Sequence, residues 1–127
     1  MKTPADYIDK AKENLGLTSD RSLDEHFGFR GQAAWFWRKR KARPSRQNML
    51  RLADAAGIDR REALLDLALW EAEDAKEPET VAVLERIRQA IVAAVALAIL
   101  AVSANGATAT EREQNTAKIA TTVYYRK

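Results

Sequence analysis

Residues 18–45 read TSDRSLDEHFGFRGQAAWFWRKRKARPS, and the fold turns on how this stretch divides. Thr18 or Ser19 can accept hydrogen bonds from the free amides of a helix start, and Asp20 favours its positive end. Leu23 and Phe27 are four apart and share one face. Gly28 follows at once and supplies a tight turn. A further helix is expected from Arg30 or Gly31 to about Lys39. Ala34 and Trp37 share its inward face, and Gln32 with Trp35 or Phe36 lies nearer the other. Pro44 and Ser45 then open the next helix.

The flanks continue the helical pattern. Thr3, Pro4 and Asp6 are the start of a first helix, with Tyr7, Ile8, Ala11 and Leu15 at helical spacing and Gly16 at its end. After Ser45, Met49, Leu50, Leu52, Ala53 and Ala56 form one apolar side, closed by Gly57. Asp59 caps a fifth helix, with Leu64, Leu65, Leu67, Ala68 and Trp70 expected inward. Residues 71–79, EAEDAKEPE, read as a helix end and linker, and Pro78 can start a sixth helix through Val81, Leu84 and Ile87.

Charge is unevenly spread. Residues 28–51 carry eight Lys/Arg and no acid, whereas 1–27 carry four bases and six acids and 52–77 carry three bases and eight acids. A basic block between acidic flanks points to a polyanionic partner at one surface. The chain has no cysteine and a single histidine, His26. Disulfides and thiolate metal sites are excluded, and Ser-His-Asp catalysis is a poor fit. His26 reads as a surface or helix-capping residue. No paired-carboxylate, nucleophile–base or phosphate-loop pattern stands out, so no enzyme activity, cofactor or small-molecule substrate is expected, and Asp24 and Glu25 read as solvated. Asp6, Asp9 and Glu13 interrupt any apolar run at the start, unlike a signal peptide.

A helix reads the major groove when its outer side chains are free of the core and phosphate contacts hold its flanks. Leu23, Phe27, Gly28, Ala34 and Trp37 supply the inward anchors for such a unit. With the Leu15-Gly16-Leu17 helix end, the Gly28-Phe29 turn, Trp37 before a basic loop, Pro44-Ser45, and Leu52-Ala53-Asp54-Ala55-Ala56-Gly57-Ile58, residues 15–58 resemble the Cro/repressor-type (XRE-like) helix-turn-helix DNA-binding family. The whole chain more distantly resembles small helix-turn-helix proteins of phage-related elements, including filamentous prophages. The resemblance implies an all-α fold: a five-helix Cro/repressor-like domain followed by a long apolar C-terminal helix. It implies base contacts from Gln32, with Gly31, Trp35 and Phe36 nearby; a Gln amide can bond adenine at N6 and N7. It implies phosphate contacts from Ser19, Asp20, Arg21 and Arg30 and from Arg38, Lys39, Arg40, Lys41, Arg43 and Arg46. Gln32 packed inside, or acidic groups covering residues 38–43, would end this DNA-reading idea and the regulatory assignment with it.

The chain departs from the family pattern in four places. Asp24 stands where a small apolar residue is usual, and Ala34 where a branched one is usual. The loop before the second helix is one residue longer than in the shortest members, and Trp35 and Phe36 make the reading face unusually aromatic. Each feature also has a plainer reading: a solvated basic loop, a surface glutamine, or aromatic residues in a core or dimer interface. If about five cations neutralise phosphates, binding should fall with salt with a log–log slope of roughly −4 to −5.

Ala90–Ala104 is fifteen residues without charge, seven of them alanine, and no charge returns until Glu111. A membrane-spanning helix needs about 20 apolar residues. Arg86 and Arg88 on the near side suit a cytoplasmic N-terminus, although Arg112 and Lys118 beyond weaken the bias. Ala90, Ala94 and Ala98 could pair two helices in lipid. A soluble oligomerisation helix, with Val81, Leu84, Ile87, Ile91, Val95 and Ala98 as its seam, is the other reading. The expected organisation is a DNA-binding domain over 1–72, a linker over 73–79, the apolar helix over 80–105 and a polar tail over 106–127. The expected partners are double-stranded DNA, a second copy of the chain and, if the apolar segment spans it, the bacterial inner membrane. The leading expectation is a sequence-specific transcriptional regulator in the cytoplasm. A membrane-anchored phage morphogenesis protein holding DNA without sequence choice, and a protein–protein adaptor, are the alternatives.

Overall fold

The computed structural model describes residues 1–104; the polar tail expected over 106–127 lies outside the described residues. Six helices follow in order: α1 Pro4–Leu15, α2 Asp20–Phe27, α3 Ala33–Arg38, α4 Arg46–Ala56, α5 Arg60–Asp74 and α6 Pro78–Ala104. The all-α class and the long apolar last helix are as expected.

The helix ends sit where the capping residues put them. Thr3 accepts from the Asp6 amide while the Asp6 carboxylate accepts from the Thr3 amide, a reciprocal box that satisfies two otherwise free donors. Ser19, not Thr18, caps α2, and Ser45 caps α4. Gly28 ends α2 at φ 70°, a left-handed conformation that costs glycine little.

The core is assembled from Tyr7, Ile8 and Ala11 of α1, Leu23 of α2, Ala34 and Trp37 of α3, four residues of α4, and Ala63, Leu67 and Trp70 of α5. α1 packs chiefly on α4, which also carries α5, while α3 rests on α1 and α2. The Tyr7 and Trp70 rings meet edge to face at 5.7 Å, and the Trp70 indole N–H donates to the Lys2 carbonyl at 2.9 Å. These aromatic residues bring the chain start onto α5.

Three expectations are corrected. First, α3 begins at Ala33 rather than at Arg30 or Gly31, and it ends one residue before Lys39. Gly31 is left-handed at φ 63° and Gln32 is non-helical, so the chain turns through these residues before the helix can start. Second, Asp24 is buried rather than solvated. Its Oδ1 accepts from the Ala34 amide at 3.0 Å, so a carboxylate of α2 caps the start of α3. That bond gives the buried Asp24 carboxylate a partner. Third, Leu64 of α5 is exposed, while Leu69 and Asp66 point inward, because Tyr7 and Arg88 supply polar partners for the Asp66 carboxylate.

Burial raises the Asp24 carboxyl above its ordinary range, against the lowering effect of the Ala34 amide. Asp24→Asn keeps an acceptor without the buried charge. It is expected to leave stability at pH 7 unchanged or improved. Asp24→Ala loses the cap and should cost about 0.5–2 kcal/mol. Urea denaturation of both variants at pH 7 checks the pair; equal losses would show that the charge rather than the cap matters.

The chain divides into two compact units, Met1–Ile91 and Val92–Lys127. In the first, α5 and the start of α6 are joined by only Ala75, Lys76 and Glu77, with Lys76 left-handed at φ 57°. Arg88 of α6 donates to Asp66 at 2.7 Å and to Glu62 at 3.0 Å, tying the charged half of the helix to α5. The described part of the second unit, residues 92–104, has only Ser103 as a polar residue. Leu97, Ile99 and Leu100 are more than three-fifths exposed there. By length and composition α6 is apolar enough to cross a membrane. The soluble-helix reading meets the same length and composition test.

Candidate nucleic-acid interface

The connection from α2 to α3 is stiffened by aromatic rings. Phe27 and Phe29 stack at 5.1 Å, and Phe29 meets buried Trp37 at 4.9 Å. The Arg51 guanidinium lies over both phenyl rings, 5.2 and 5.4 Å from their centroids, and donates to the Phe27 carbonyl at 2.7 Å. This support orients α3, whose inward face is Ala34 and Trp37.

The other face is open. Gly31 and Gln32 are exposed, and Trp35 and Phe36 are 38% and 41% exposed. Gln32 occupies the N-cap position but makes no capping bond, because Asp24 performs that task from α2. The Trp35 and Phe36 rings meet edge to face at 5.2 Å. The chain then folds back, with the amides of Lys41 and Ala42 both donating to the Phe36 carbonyl, and the Lys41 ammonium sits 5.2 Å above the Trp35 ring. All four residues expected to face bases are exposed.

The expected phosphate contacts do not behave as a set. Arg30, Lys39 and Arg46 are exposed and have no ion pair among the described residues. Arg21 pairs with Glu25 at 3.2 Å on a solvated helix face. The Ser19 hydroxyl is engaged in capping α2, accepting from the Ser22 amide at 3.0 Å. Arg38 donates to Asp20 at 2.9 and 3.0 Å and to Asp9 at 2.7 Å. Arg40 reaches Glu73 at 3.1 Å and Asp74 at 3.4 Å, and Arg43 reaches Asp74 at 2.5 Å. Acidic side chains thus cover Arg38, Arg40 and Arg43, while Lys39 and Lys41 stay clear of them. The acidic flanks seen in the sequence fold back onto part of the basic block. The Arg40 and Arg43 pairs are solvated and worth about 0–1 kcal/mol each, so another anion can replace the carboxylate. Arg38, held by two carboxylates from α1 and α2, is a structural tie.

Arg38 holds the Asp20 and Asp9 carboxyls below their ordinary value of 3.8. A carboxyl with a lowered folded-state pKa stabilises the fold above its unfolded value, and that stability is lost as pH falls through the folded value. The urea midpoint of the native chain should therefore fall more steeply between pH 5 and pH 2 than that of Arg38→Met. Parallel curves would mean that the two pairs contribute nothing to the fold.

Two residues of this surface escaped the sequence. Asp24 lies ten positions from the amide it caps, beyond any local pattern. Arg51 was one basic residue among eight, and only the fold shows it stacked on the turn. Among the described residues no cluster of His, Cys, Asp and Glu could hold a metal ion. No family model matches this chain, and no curated protein or solved structure is detectably similar to it.

Proposed function

We propose that this protein is a sequence-specific regulator that binds double-stranded DNA, with α2, the turn and α3 acting as a Cro/repressor-like helix-turn-helix unit. One observation carries the reading: α3 buries Ala34 and Trp37 while leaving the Gln32 amide, Trp35 and Phe36 open between unpaired cations. Gln32 faces bases. Arg30, Lys39, Lys41 and Arg46 contact phosphates, helped by Arg21 and by Arg40 and Arg43 once they exchange carboxylate for phosphate. Two copies bind paired half-sites, as groove-reading units of this size do.

The Gln32 side chain is exposed and makes no hydrogen bond, so Gln32→Ala should leave the fold intact. It is expected to weaken a selected site by about 5- to 150-fold while changing affinity for random duplex little. An equal loss on both would remove Gln32 as a reader. With about four phosphates neutralised, the log–log salt slope should be about −4 per domain. Fluorescence anisotropy between 50 and 200 mM salt measures it. A flat dependence, or no duplex shifted at low salt, favours the adaptor reading, for which the exposed Trp35–Phe36 pair is the supporting feature.

We further propose that the apolar end of α6 anchors the protein in the inner membrane. Its exposed Leu97 and Leu100 share one face and Ile99 lies nearly opposite them, whereas a two-helix seam needs only one stripe. The charge-free part of α6 starts at Gln89, and the whole helix of 27 residues extends about 40 Å, longer than a bilayer core. Recovery of the full chain from the soluble fraction of cells would exclude this anchoring.

A further inference from the structure

The outward surface of α3 has an unusual chemical make-up for a groove-reading helix. Gln32, Trp35 and Phe36 lie at i, i+3 and i+4 and share one face. None of them is ionised. In the major groove, guanine is most often read by Arg or Lys at O6 and N7, and cytosine by a carboxylate at N4. The part of α3 open to a groove has neither group. It carries an amide, which matches adenine N6 and N7, and two apolar rings, which match the thymine 5-methyl group.

Three features prepare these side chains for that use. Asp24 caps α3 from the neighbouring helix, so the Gln32 amide keeps all of its donors and acceptors for a ligand. Edge-to-face contact at 5.2 Å makes Trp35 and Phe36 one apolar wall rather than two independent rotors. The Lys41 ammonium covers part of the Trp35 ring, which leaves Phe36 the more exposed of the two. The Lys41 ammonium lies against this wall, and Arg30, Lys39 and Arg46, in the segments that flank α3 in the chain, are exposed with no carboxylate on them among the described residues. The occupant that suits an uncharged amide and apolar surface beside open cations is an A·T-containing duplex.

We propose that α3 selects A·T base pairs, with Gln32 pairing to adenine and the Trp35–Phe36 wall lying against thymine methyl groups. The proposal rests on the DNA-binding reading above. Asp24 acts as a positioning residue in it, through the cap that frees Gln32.

The test uses the full chain in detergent and duplexes of one length at one salt concentration. Sites enriched from a random duplex pool should carry A·T steps at the α3 contacts. Replacing thymine by deoxyuridine in such a site removes only methyl groups and should weaken binding about fourfold for each contacted methyl. Phe36→Ala, at an exposed position, should bind the thymine and deoxyuridine duplexes equally. Tight, Gln32-dependent binding to G·C-rich sites would overturn the proposal and leave the DNA-binding reading standing. So would thymine and deoxyuridine duplexes binding equally to the native chain. Failure to bind any duplex at low salt would overturn both.

Discussion

Arg88→Ala is expected to lower the unfolding free energy by about 3–5 kcal/mol, more than any single surface change in this chain. The reason is the company that Arg88 keeps. Asp66 is fully buried and Glu62 is nearly so, and the Arg88 guanidinium donates to both from α6. Tyr7 donates its hydroxyl to the other oxygen of Asp66, and Lys2 pairs with Glu62. Removing the guanidinium leaves a buried carboxylate with a phenol as its one remaining partner. A charge in that position is far from water and has lost its opposite charge. The cost therefore comes from the group left behind, more than from the lost attraction.

This account makes a second demand. Replacing the Arg88, Asp66 and Tyr7 part of the cluster by apolar residues of similar size, as in Arg88→Met with Asp66→Leu and Tyr7→Phe, leaves Glu62 paired with Lys2 and should recover most of the loss. Urea denaturation followed by far-ultraviolet circular dichroism separates the cases. A loss below about 1 kcal/mol for Arg88→Ala would mean that solvent already reaches Asp66. The same measurement bears on organisation. The charged half of α6 is attached to the helical unit by a buried ion cluster and three connecting residues, so it is not a loose tether.

Trp37→Ala is expected to cost about 3–5 kcal/mol and, under the function proposed above, to abolish site-specific DNA binding together with it. Trp37 is 5% exposed and is one of only two buried residues of α3. Its ring is the far end of the run that begins at Phe27 and passes through Phe29. A six-residue helix has too few internal hydrogen bonds to persist alone, so its position depends on what its inner face grips. Losing the indole leaves Ala34 as the remaining anchor. Hydrogen exchange should show the amides of residues 33–38 losing protection before those of α4 and α5. Trp37→Phe keeps an aromatic ring in the site and should restore part of both stability and binding. Retained protection at 33–38 in Trp37→Ala would mean that the Asp24 cap alone holds α3.

Much of this was legible in the chain itself. Thr3, Ser19, Ser45 and Asp59 mark helix starts because their oxygens satisfy amides that the helix leaves free, which is a local interaction. Gly16, Gly28 and Gly57 mark helix ends for an equally local reason, the ease of a left-handed turn. Ala34 and Trp37 were placed inward by spacing alone. The basic block was visible as composition, but composition carries no partners. Arg38, Arg40 and Arg43 meet carboxylates from residues 9, 20, 73 and 74, and such pairings depend on how helices distant in sequence come together.

Capping residues, terminal glycines and apolar spacing thus determined that there are six helices and most of the inward residues of the first five, since each is decided within one or two turns of backbone. Tertiary structure alone decided which charges remain open, that Asp24 and Asp66 are buried rather than solvated, and that the Gln32 side chain is left without an intramolecular hydrogen bond. Those outcomes depend on distance and solvent access between separate helices, and neither quantity is encoded in neighbouring residues.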